Sequence, residues 1–109
     1  MSHSYEVRLA ENEDLFRKLN ENTERIASTF GGDIAYDFIC ECSTGSCLER
    51  FSLTLVQYER VRQNGSHFLL IPGHENAEVE RVVAVGEGYV VVEKFGVASV
   101  VAREEDPRD

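Results

Sequence analysis

The chain has 109 residues, enough for one domain with a single modest core. Its 42% hydrophobic and 28% charged residues are those of an ordinary folded chain, so neither a low-complexity segment nor a membrane span is expected. A formal net charge of −9 argues against nucleic-acid backbones and anionic membrane surfaces as partners and leaves proteins as the expected class.

Residues 1–11, MSHSYEVRLAE, read as a weakly ordered start without the apolar segment of a signal peptide, which predicts a cytoplasmic protein. From Asn12 the pattern is helical: Leu15, Phe16, Leu19, Ile26, Ala27 and Phe30 recur on one face. Asn12 suits an N-cap, Glu13 and Asp14 suit the first turn, and Gly31-Gly32 supplies the stop. Acid-first pairs four residues apart (Glu13 with Arg17, Asp14 with Lys18, Glu21 with Arg25) predict an exposed outer face.

A strand is predicted over DIAYDFIC, 33–40, where Ile34, Tyr36 and Phe38 alternate with Ala35, Asp37 and Ile39. ERFSL, 49–53, is a second short strand. The segment from Thr54 to Gly65 predicts a helix opened by a capping box, with Thr54 as N-cap and Gln57 at the third helical position. Leu55, Tyr58 and Val61 would face the core. HFLLIPG, 67–73, is a buried strand stopped by Pro72-Gly73, and ERVVAVGEGYVVVEKF, 80–95, a hairpin turning at Gly86-Glu87-Gly88. The Val-rich arms of that hairpin lack alternation, which predicts cover on both faces. VASVV, 97–101, reads as an edge strand, and 103–109 as a disordered tail.

All three cysteines, Cys40, Cys42 and Cys47, fall within eight residues, in FICECSTGSCLERF. In a reducing compartment such a cluster points to metal or redox chemistry more than to disulfides. Structural zinc takes four N or S ligands in a tetrahedron, and Cys-x-Cys-x4-Cys supplies three. On a regular strand the Cβ atoms of Cys40 and Cys42 would stand about 6.6–6.8 Å apart, so the chain should bend at Glu41. Ser43, Thr44, Gly45 and Ser46 have the composition of a turn that returns Cys47.

The fourth ligand has three candidate histidines. His3 lies in the weakly ordered start, His67 opens a strand, and His74 follows the tight Pro72-Gly73 turn, which favours His74 with His67 as the alternative. Water, Glu41 or Glu75 could also fill the corner. The inert reading, three cysteines as small buried hydrophobes, fits poorly with two of them flanking a charged Glu41.

The run NEDLFRKLNE, FICEC…C, ERFSLTLVQYERVR, FLLIPGHE and VERVV…GYVVVEK resembles a family of small, functionally uncharacterised bacterial proteins. They share a Cys-x-Cys-x4-Cys segment, a Ser-Leu-Thr-x-x-x-Tyr-Glu helix start and a Pro-Gly-His-Glu turn. The resemblance covers about residues 12–94 and implies that Cys40, Cys42, Cys47 and His74 belong together. It implies no activity.

Catalytic patterns are thin. There is no Gly-x-Ser-x-Gly elbow, Gly86-Glu87-Gly88 is not followed by a dinucleotide-binding helix, and the zinc-deaminase spacing fails at both halves. Glu41 and Glu75, each beside a proposed ligand, are the only footholds for a general base. The sequence therefore predicts a single α+β domain over 1–109. A long N-terminal helix and a short second helix pack on a small, mainly antiparallel sheet, clipped by a structural Zn2+ site of Cys40, Cys42, Cys47 and His74. It predicts no enzyme but a protein-interaction or regulatory module. The alternatives are a redox-responsive zinc switch and a small zinc hydrolase or deaminase-like enzyme. The N-terminal helix and the Val-rich hairpin are the surfaces expected to hold a partner or a second copy.

Overall fold

The computed structural model describes residues 2–31, 34–44 and 46–108, with side chains from Leu9 onward. In chain order the elements are α1 (Ser2–Ala27), β1 (Ala35–Ile39), β2 (Arg50–Thr54), α2 (Leu55–Arg62), β3 (His67–Leu70), β4 (Glu80–Gly86), β5 (Tyr89–Lys94) and α3 (Val97–Glu104). The fold is α+β, as expected, but the sheet is divided. β1 and β2 form an antiparallel pair, and β3, β5 and β4 form an antiparallel three-stranded sheet in that order.

The core lies between these sheets and α2. Phe38, Leu53, Phe68, Leu69, Leu70 and Val90–Val92 are buried there, and Phe38 stacks on Tyr58 with ring centroids 4.4 Å apart. The valine run of β5, the central strand, is buried throughout. β4, at the edge, is not: Val82, Val83 and Val85 are exposed. Sequence alone gives the two arms of the hairpin the same pattern, and only the strand order separates them.

Local signals were read most directly in α2. Thr54 accepts from the Gln57 backbone N–H at 3.2 Å, and Gln57 accepts from the Thr54 N–H at 2.9 Å, so both halves of the capping box form. Tyr58 is buried as expected, yet the second buried position of this helix is Arg62, and Leu55 and Val61 are only half-buried.

The long helix departs further from expectation. It begins at Ser2, so Asn12 lies inside it; the Asn12 side chain donates to the Ser43 carbonyl at 2.9 Å and ties the cysteine loop to the helix. Its buried face is mostly polar. Phe16 and Ala27 are buried, but so are Arg17 and Asn20, whereas Leu15, Leu19, Ile26 and Phe30 are exposed. The reason is hydrogen bonding to backbone that would otherwise be left unpaired. Asn20 donates to the Ile39 carbonyl and accepts from the Ile39 N–H, both at 2.9 Å, as a strand neighbour would. Arg17 donates to the Gly65 and Ala102 carbonyls. Of the three helical charge pairs, Asp14–Lys18 forms at 2.9 Å, whereas Glu13 turns inward to Lys94 and Glu21 pairs with Arg108.

VASVV is helical, contrary to the edge strand expected from its β-branched residues. Gly96, at φ +62°, ends β5, and the chain then turns into α3. Ala102 belongs to the last turn of α3, whose carbonyls lack helical partners, and Arg17 supplies one at 2.9 Å. The tail expected to be disordered also has partners, since Arg108 donates to both Glu21 and Glu59. Gly32, Asp33 and Gly45, which the sequence reading placed in a helix stop, a strand and the cysteine turn, lie outside the described residues.

Candidate metal centre

The assigned part of β1 stops at Ile39, but the Cys40 N–H adds one more rung to the β1–β2 register, donating to the Glu49 carbonyl at 2.9 Å. At Glu41 the chain leaves that pairing, and the Glu41 N–H donates instead to the Leu69 carbonyl of β3 at 2.7 Å. A turn follows, closed by the Cys47 N–H donating to the Thr44 carbonyl at 3.0 Å, and it brings Cys47 back beside them. Cys40 and Cys42 are fully buried, and Cys47 is nearly so.

The opposite wall is the turn after β3. His74 N–H donates to the Ile71 carbonyl at 3.0 Å across Pro72 and Gly73. Proline presets the first central position and glycine, at φ +92°, takes the second, the geometry of a type II turn. This turn fixes His74 toward the cysteines. One ligand atom from each of Cys40, Cys42, Cys47 and His74 can be chosen so that all four lie within 4.8 Å of one another. His74 Nδ1 stands 3.6 Å from Cys40 Sγ and 3.6 Å from Cys47 Sγ. The Ile71 N–H donates to Cys40 Sγ at 3.2 Å.

The site's electrostatics favour a bound cation. The Cys40 thiol, donating to Cys42, holds the Cys42 thiol below its usual pKa. The same bond, followed by burial, pushes Cys40 up, and burial pushes Cys47 up. A metal ion among these sulfurs would replace the remaining protons.

The other candidate residues lie elsewhere or have other work. His67 Nε2 pairs with Glu93 at 3.0 Å across the β3–β5 ladder and is not in the cluster; the His3 side chain lies outside the described residues. Glu75 accepts from the Gly73 N–H at 3.0 Å, bracing the turn that carries His74. Glu41 is completely buried, and its carboxylate is fully engaged. One oxygen accepts from Arg62 at 2.8 Å and from the Leu69 N–H at 2.9 Å, and the other from Asn20 at 2.7 Å.

One residue of the site escaped the sequence reading. Glu49 lies 3.1 Å from His74 Nε2, so the ring can give its Nε2 proton to that carboxylate and point bare Nδ1 at the sulfurs. Its position two residues after Cys47 was the only available hint. A cavity of about 670 Å3 lies between α1 and α3, over Lys94 and Phe68, and none of the four clustered residues lines it.

Fold and site together define a small α+β protein with a Cys3His group positioned to hold a metal ion. Comparison with protein-family models, with curated proteins and with solved structures finds no match to this chain. No described helix is long and apolar enough to cross a membrane.

Proposed function

We propose that Cys40, Cys42, Cys47 and His74 hold one Zn2+ in a closed structural site, and that the protein is a non-enzymatic interaction or regulatory module of a reducing compartment. The observation that carries this reading is the convergence of three sulfurs and an imidazole nitrogen within 4.8 Å. The spacing also suits zinc. Tetrahedral bonds of about 2.3 Å to sulfur and about 2.0–2.1 Å to nitrogen separate the two donor atoms by about 3.5 Å. Nδ1 of His74 is 3.6 Å from each of two sulfurs.

Three features favour a structural over a catalytic metal. Four protein donors close the shell that a catalytic zinc keeps open for water. Three thiolates around Zn2+ leave a net charge of −1, which weakens the ion as a Lewis acid. Of the two glutamates beside a ligand, Glu41 is buried and held by Arg62, Asn20 and Leu69, and Glu75 braces its own turn through one oxygen. The uncovered Leu15, Leu19 and Ile26 on α1, with Phe30 in the turn that follows, offer a protein partner an apolar surface.

Elemental analysis of purified protein tests the site, with Cys42→Ser and His74→Ala beside the wild type. One equivalent of zinc is expected in the wild type and strongly reduced content in both variants; full retention in both overturns the assignment. X-ray absorption of the zinc-loaded protein tests the closed shell. Three sulfurs and one nitrogen are expected, and a bound water oxygen in place of a protein donor would reopen the catalytic reading.

A further inference from the structure

Lys94, Glu13 and Glu80 form a buried charge cluster that does not balance. The Lys94 ammonium meets one oxygen of Glu13 and one of Glu80, and the three side chains are only 3%, 12% and 1% exposed. One cation thus faces two carboxylates, in surroundings where unmatched charge is costly. Burial first, and Glu80 with it, raise the Glu13 carboxyl above its ordinary 4.5 in spite of Lys94. The second Glu13 oxygen has no hydrogen-bond partner among the described residues, and Glu13 lines the cavity between α1 and α3. That cavity, of about 670 Å3, falls within the size range of small-molecule sites. Phe68, Val79, Phe95, Ala98 and Val101 give it apolar walls, and the exposed carboxylates of Glu78 and Glu105 line it as well.

We propose that this cavity binds a small organic ammonium, its apolar body among Phe68, Phe95 and Val101 and its charged nitrogen on Glu13. Charge selects the ligand class. An anion would add a third negative charge beside Lys94. Nor would Arg17, the other cation of the wall, receive it: its terminal nitrogens donate to the Gly65 and Ala102 carbonyls, and Asp14 stands 3.7 Å away. A neutral ligand could fill the walls but would leave the excess charge as it is. An ammonium supplies the missing cation, and its N–H groups are the donors that the open Glu13 oxygen lacks. Glu78 and Glu105 favour the approach of the same charge.

Amide chemical-shift titration of the purified protein tests this with three probes that share an indole body and differ in the end group: tryptamine, tryptophol and indolepropionate. Tryptamine should shift the Gly96 and Ala98 amides and saturate below about 10 mM, binding about tenfold or more tighter than either of the others. Glu13→Gln keeps the shape of the side chain and leaves Lys94 paired with Glu80. It should bring tryptamine down to the level of tryptophol. Ala98→Phe, which fills the cavity, should block all three probes and carries the test if Glu13→Gln does not fold. The proposal is overturned if tryptamine does not bind saturably, if it binds no tighter than tryptophol, or if indolepropionate binds best. Tryptamine affinity unchanged in Ala98→Phe overturns it too, as does a preference for tryptamine that survives in folded Glu13→Gln. None of these readouts depends on the metal assignment.

Discussion

Replacing Arg62 by methionine should destabilise the protein out of proportion to the side chain removed. Among the described residues Arg62 is the only cation hydrogen-bonded to the Glu41 carboxylate, at 2.8 Å, and the side chains of both are all but inaccessible to water. Methionine keeps much of the apolar stem and the contact with Tyr58, so the change chiefly strands a buried carboxylate with two neutral donors, Asn20 and the Leu69 N–H. Breaking a buried pair from one side costs about 3–5 kcal/mol. A domain of this size has a total stability of about 5–15 kcal/mol, so a third or more of it should disappear.

The reciprocal change, Glu41→Met, should cost a similar amount by stranding Arg62. Removing both charges should cost clearly less than the sum of the two, with a coupling of about 2–3 kcal/mol. Urea denaturation of zinc-loaded protein followed by circular dichroism measures all four members of the cycle, and an unchanged slope against urea would show that the folded state is intact. Among the described residues Arg62 makes no hydrogen bond to the clustered cysteines or His74, so Arg62→Met should keep its metal, separating this loss from loss of the site. A cost below about 1 kcal/mol for Arg62→Met, or strict additivity in the double variant, would refute the reasoning.

Other substitutions probe other links. Glu49→Gln should lower metal affinity about tenfold in competition with a chromophoric chelator, because the amide orients the imidazole but polarises it less; unchanged affinity would remove Glu49 from the site. Tyr58→Phe should leave stability unchanged or raise it by about 1 kcal/mol, since the buried hydroxyl has no hydrogen-bond partner; a loss of more than about 1 kcal/mol would reveal one. Glu13→Gln should alter the pH dependence of thermal unfolding. Burial lifts the Glu13 carboxyl above its ordinary value of 4.5 despite Lys94, so the folded chain keeps this proton to higher pH than the unfolded chain. The wild type should therefore lose stability relative to Glu13→Gln as pH rises through that window, and the difference should level off above it. A wild type that gains stability relative to Glu13→Gln as pH rises would contradict this.

What could be read from sequence was the local geometry. The capping box of Thr54 and Gln57 needs four consecutive residues, and the Ile71–His74 turn likewise needs four, with Pro and Gly at positions their backbones favour. That is why His74 could be chosen over His67. Burial on α1 could not be read the same way. Its apolar periodicity is real, but the face that packs is chosen by Arg17 and Asn20, whose partners Gly65, Ala102 and Ile39 lie far along the chain. The segment after Gly96 failed for a related reason, since β propensity reports fit to a sheet and this segment pairs with no strand among the described residues. Glu49 was invisible because its contact with His74 exists only after two loops have met.

The geometry of those loops bears on what a metal would do. Cys40 and Cys42 extend from β1, Cys47 precedes β2, and His74 follows β3, so an ion held by all four would join the two-stranded sheet to the three-stranded one. The same seam is already crossed by a short mimic of strand pairing. Glu41 donates its N–H to the Leu69 carbonyl and accepts the Leu69 N–H with its side chain, the role a backbone carbonyl would play. Asn20 does the same for Ile39 from the helix side. On the proposed reading, the ligands and the buried Glu41–Arg62 pair act on one boundary. The polar residues there are consumed in joining elements too short to pair on their own. On that reading the metal would act as a clasp between the two sheets.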